Sequence, residues 1–103
     1  MGVEAAIAGV PSIRSGVYQH YRGGIYWVPG VVVIEEETGH YRVIYWSLKK
    51  RVWWARPFKQ FTEFVQVEQT AIWRTLRFER IGGRGLWWVL RLRYALGGWE
   101  IPG

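Results

Sequence analysis

Bond-breaking chemistry needs a nucleophile with a base, or two carboxylates held at a set separation, and this chain offers few such groups. Its serines are Ser12, Ser15 and Ser47, its histidines His20 and His40, and all its acids are glutamates. The run Glu35-Glu36-Glu37 carries the oxygen ligands a divalent ion takes. Consecutive residues on a strand point to alternate faces, so at most two of the three converge, and a solvated turn accounts for the run better. His20 and His40 lack the spacing of a metal site, and His20, beside tyrosines, reads as a packed or hydrogen-bonded ring. Gly23-Gly24 and Gly82-Gly83-Arg84-Gly85 match neither a P-loop nor a dinucleotide fingerprint. The chain is therefore read as noncatalytic, with no catalytic residue, metal or cofactor expected.

Binding chemistry is better supplied. Trp73, Arg77, Trp87, Arg91 and Arg93 share one parity, which on a hairpin sets indoles and guanidiniums on one face. Bases stack on aromatic platforms and phosphates pair with Arg, so nucleic acid, DNA or RNA, is the leading expected partner, with Arg22 and Arg56 as further phosphate contacts. A rival reading is self-assembly, a homo-oligomer or protein interface built on Trp27, Trp46 and Trp99, since aromatics and Arg are enriched in interfaces. An aromatic cage for a peptide or modified side chain is a third.

The elements that must position these residues are short. Residues 1–15, rich in small side chains, read as a flexible N-terminal arm. Val17–Tyr21 and Ile25–Val28 flank a Gly23-Gly24 hairpin turn. Pro29-Gly30 interrupts the next strand as a bulge or bend before Val31–Glu35. Thr38-Gly39 turns into the alternating stretch Tyr41–Leu48, and Lys49-Lys50 turns into Val52–Arg56, which Pro57 stops. Phe58–Val65 places Phe61, Phe64 and Val65 at helical spacing. Ile72–Ile81 reads as a strand although apolar residues fall on both parities. In Leu86–Leu96 every even position is apolar, the period-two signature of a strand. Gly82-Gly83-Arg84-Gly85 then becomes the loop of a C-terminal β-hairpin. The expected class is all-β, a small barrel or sandwich.

Residues 16 to 65 resemble the domain of unknown function 1653 family. The resemblance rests on Gly16, Tyr18, His20-Tyr21-Arg22-Gly23, Tyr26, Val28 and Gly30, then Glu36, Val43 and Tyr45, and finally Trp54-Ala55-Arg56-Pro57 with Phe61 and Val65. It implies a compact SH3-like barrel at 16–65, leaving 66–103 as a β-hairpin extension packed on or projecting from it. It implies no activity, although some relatives look like appendages of Nudix-type hydrolases. The family usually has polar residues where this chain places Trp27 and Trp46. Both are out of phase with the core aromatics Tyr26 and Tyr45, so both should leave the barrel core and meet a partner or the second half of the chain.

Composition sets the bounds. A chain of 103 residues is one small domain, and with no cysteine it has neither a disulfide nor a thiolate metal site to support it. Stability must come from packing, for which there are 8 Trp, 6 Tyr and 4 Phe. Each aromatic buries roughly 150–250 Å², or roughly 4–6 kcal/mol of gross burial, yet a core this small should not enclose all the indoles. The net charge of +6 and pI near 10.1 suit a polyanion. Lys49, Lys50 and Lys59 are the only lysines, and the Arg bias suits forked phosphate contacts. A GC-rich or thermophilic source also fits that bias. No stretch reaches the roughly 18 apolar residues of a membrane span, and the N-terminus has no basic leader. The expectation is a soluble cytoplasmic protein without a membrane partner.

Overall fold

The computed structural model describes residues 9–66 and 74–102. Its elements are β1 (Gly16–His20), β2 (Ile25–Val28), β3 (Val32–Ile34), β4 (Tyr41–Ser47), β5 (Trp53–Pro57), α1 (Phe58–Thr62), β6 (Phe64–Gln66), β7 (Arg74–Leu76), β8 (Phe78–Gly82) and α2 (Arg84–Ala95). The fold is mostly antiparallel β, with six strands in one sheet and β6 and β7 paired in a second.

The large sheet is organised around β4. One edge of β4 pairs with β5 along Arg42 to Trp46. Its other edge is shared: β3 pairs with Tyr41 to Val43, and β2 with Trp46 and Ser47. Thus β2 and β3 act as one strand bent at Pro29-Gly30, where Gly30 takes φ 90°, a conformation that favours glycine. Beyond β2 come β1 and then β8. Among the described residues β5 and β8 stay unpaired on their outer edges, so no sheet closes on itself.

Alternation along the strands loads both faces. Tyr18, Val28, Val43, Tyr45 and Phe78 form a buried cluster with Phe61 of α1 on one side. Phe61 stacks on Phe78 with centroids 4.2 Å apart. The other side holds Val17, Ile25, Leu48, Trp87 and Ile101, joined by Trp27, Trp46, Leu86, Leu90, Tyr94 and Trp99. The sheet therefore lies between α1 and α2.

The C-terminal β-hairpin is overturned: Arg84–Ala95 is a helix of 12 residues. Leu86, Trp87, Leu90 and Tyr94 recur at helical spacing on its sheet-facing side, whereas Trp88, Val89 and Leu92 are exposed on the opposite side. Two apolar stripes roughly 180° apart reproduce the alternation of a strand. The Gly-rich segment is accordingly a strand-to-helix junction, with Gly83 as N-cap.

Strand structure is present in the described part of Ile72–Ile81, but it breaks at Arg77. β7 pairs with β6 and β8 with β1, and the break explains the mixed parity. β8 also supplies Phe78 to the first core, so a boundary at 65 would cut the sheet. Of the N-terminal arm, Ile13 packs on the first cluster, and the Tyr18 hydroxyl donates to the Arg14 carbonyl at 2.7 Å.

Candidate functional site

A cleft of about 250 Å³ opens where the two edge strands approach each other. It is lined by His20, Arg22, Gly24, Tyr26, Tyr45, Lys50, Trp54, Arg56 and Phe78. Two tight turns deliver the basic groups. In the β1–β2 turn, Gly23 N–H donates to the His20 carbonyl at 2.7 Å and His20 N–H to the Gly24 carbonyl at 2.8 Å, which sets His20 and Arg22 at the rim. In the β4–β5 turn, Arg51 sits at φ 55° and the Ser47 Oγ accepts the Lys50 N–H at 3.0 Å, and the Lys50 ammonium lies 5.6 Å from the Trp54 ring centroid.

The floor is aromatic. Phe78 meets Tyr45 at 5.3 Å, Tyr26 at 5.6 Å and His20 at 4.9 Å, each ring edge-on or nearly so. Across the opening, the Arg56 guanidinium lies 5.5 Å from the Phe78 centroid, and its Nε–H donates to the Tyr45 hydroxyl at 3.2 Å. A Cβ at Gly24 would sit 2.6 Å from the Tyr26 hydroxyl, so only glycine leaves room for the floor there. Burial raises the Tyr26 pKa, with Tyr45 adding to it and Arg56 opposing.

His20 is the electrostatic indicator of the site. Burial is the main cause that lowers its pKa from 6.5, followed by repulsion from Arg56, Arg77 and Arg22. Its Nδ1 accepts the Arg22 backbone N–H at 3.2 Å, so the neutral ring carries its proton on Nε2. Three cations and a neutral imidazole surround an aromatic floor, and no carboxylate is among the described residues that line it. The guanidiniums of such a cleft can fork onto an anionic group, and its aromatic rings offer surface for stacking. Among the described residues no three His or Glu side chains converge on a metal position.

The residues singled out from sequence are dispersed. Arg22 and Arg56 meet in this cleft. Trp87 is 8% exposed, within the second core. Arg77 donates through Nε and Nη2 to one Glu63 carboxylate oxygen, at 3.1 and 2.7 Å. Arg91 and Arg93 are exposed on α2, about 200° apart around its axis, over Trp88 and Trp99 respectively. Trp73 lies outside the described residues. The common parity face thus dissolves, because its premise was a strand over 86–96. The tryptophans read as an interface are half-buried against the chain itself, each with part of its ring at the surface: Trp27 lies 5.9 Å from Trp87, Trp46 lies 5.3 Å from Trp53, and Trp99 packs on the second cluster.

Sequence reasoning missed His20, Tyr26, Tyr45, Lys50 and Trp54 as site residues, although a signal existed. His20-Tyr21-Arg22-Gly23 and Trp54-Ala55-Arg56-Pro57 each join a basic residue to aromatics, and both end in this cleft.

The model of a family described as a protein of unknown function, DUF1653, matches residues 16–80, a span that includes β8. The crystal structure of a DUF1653 protein from Bordetella bronchiseptica is similar, with TM-score 0.57 and 30% sequence identity, covering 69% of this chain and 90% of that one. No curated protein matches the chain.

Proposed function

Because this chain belongs to the DUF1653 family, whose description assigns no function, we propose its role from the cleft: a noncatalytic module that binds single-stranded nucleic acid. In this reading Trp54, 42% exposed, carries a stacked base, while Arg22, Lys50 and Arg56 hold the flanking phosphates. The SH3-like barrel belongs to the same proposal, with the open seam between β5 and β8 as the mouth of an incompletely closed barrel. The observation that carries the reading is the cleft lining, three cations over a floor of aromatic rings with no acid among them.

Single strands are favoured over duplex because a base must leave its stack to reach Trp54. Removing one base stack costs about 1–3 kcal/mol, so Trp54→Ala should weaken binding by roughly 5- to 150-fold. Each phosphate contact contributes about 0.7 to the slope of log affinity against log salt on single strands. Arg22→Gln and Arg56→Gln should each flatten that slope by about this amount. Fluorescence anisotropy with labelled homopolymeric DNA and RNA over a salt series measures both. Absence of binding at low salt, or a slope unchanged in both arginine variants, would remove this function.

A further inference from the structure

The outer face of α2 lies on the other side of the sheet from the cleft. Trp88, Val89 and Leu92 are each about 60% exposed and Leu96, at the C-cap, is 77% exposed. Their spacing draws one apolar stripe along the helix. Arg84 and Arg91 flank it on one side and Arg93 on the other, and the helix contains no acid. Beside it runs a groove of about 410 Å³ whose apolar walls include Trp46, Leu48, Trp88 and Leu92, with Arg51 and Arg91 also lining it.

From this arrangement we propose that α2 is a peripheral membrane-docking helix that lies on an anionic phospholipid bilayer. Trp88, Val89, Leu92 and Leu96 enter the boundary between headgroups and acyl chains. Arg84, Arg91 and Arg93 reach the lipid phosphates from both flanks, the disposition an interfacial helix requires. The groove, apolar with two guanidiniums, receives a chain and its phosphate in the same sense. Charge complementarity selects this occupant. A second copy would bring arginine flanks against arginine flanks, and its interface would call for roughly 20–30 residues a side, whereas the stripe offers four on a helix about 18 Å long. Such a helix lies on the membrane without crossing it, consistent with no described helix being long and apolar enough to span.

The test is co-sedimentation of the full chain with vesicles of equimolar phosphatidylcholine and phosphatidylglycerol, compared with phosphatidylcholine alone. Binding is expected only to the anionic vesicles and should weaken with salt. The double variant Trp88→Ser/Leu92→Ser alters exposed positions and should reduce binding by about tenfold or more. The pair Arg91→Glu/Arg93→Glu should also reduce it, while Arg56→Glu in the cleft should leave it intact, which separates this surface from the nucleic-acid reading. Circular dichroism confirms that each variant is folded. The proposal is overturned if anionic vesicles fail to bring down the wild-type chain, or if the folded serine variant sediments as well as wild type. It is equally overturned if light scattering shows a dimer, with no vesicle binding, that the serine variant splits.

Discussion

Arg56 joins several parts of the cleft at once. It donates to the Tyr45 hydroxyl, covers the ring of Phe78 and repels a proton from His20. The last effect yields a pH prediction. Unfolded, His20 takes up its proton near 6.5, whereas in the folded protein burial and the nearby arginines lower that pKa. Between the two values the unfolded chain binds more protons. The His20 contribution to stability is therefore complete above pH 6.5 and is lost as pH falls through the folded pKa. Ligand binding has the opposite sign: phosphates beside Arg22 and Arg56 offset their repulsion, raise the His20 pKa and draw in a proton. Nucleic-acid affinity should accordingly rise as pH falls through the range in which His20 takes up its proton, and His20→Gln should flatten the rise. Anisotropy titrations between about pH 5 and 8 read this directly; a wild-type profile as flat as the variant's would disprove the linkage.

At the scale of elements, α2 begins without a capping side chain. Gly83 has φ −104° and ψ −158°, an extended N-cap conformation, and the first turn contains no acid. A Cβ there would meet only Arg80 Nη2, at 3.6 Å. Gly83→Asp should therefore supply an acceptor for the free helix N–H groups and a charge favourable to the dipole, a gain of about 0.5–1 kcal/mol. An urea midpoint moved upward at constant m checks it; a midpoint moved down would show that the junction needs glycine. The same helix marks the limit of the sequence reading. Strands β1 to β5, the bend at Pro29-Gly30 and the turn at Phe58 were legible, because alternation and Gly or Pro punctuation pointed the same way. In 84–95 they did not. Trp87 and Leu90 pack inward while Trp88, Val89 and Leu92 face out, so counting alternate positions found a strand. The cleft was half legible: Arg22 and Arg56 stood out as charges, but only the pairing of β4 with β5 and the placement of β8 bring Trp54, Tyr45 and Phe78 beside them.

Across the whole molecule, the sheet separates two chemistries. One face ends in the cationic aromatic cleft, while the other is covered by α2, which absorbs Trp27, Trp46 and Trp99 and exposes Trp88 in their place. The second core thus accounts for four of the eight tryptophans, Trp27, Trp46, Trp87 and Trp99, while Trp53, Trp54 and Trp88 remain exposed among the described residues. The unclosed sheet has a further consequence. No backbone hydrogen bonds join β5 to β8 directly; the β6–β7 ladder and the Arg77 N–H donated to the Glu63 carbonyl at 2.9 Å tie the seam at one end, and small breathing motions along the rest of it cost little. Amide protons along the outer edge of β5 should trade with deuterium sooner than those of β4, which is bonded on both edges. A nucleotide strand wedged between the lips would act as a clasp and slow that exchange, a change that mass spectrometry can localise; identical rates with and without ligand would show that the mouth is already rigid.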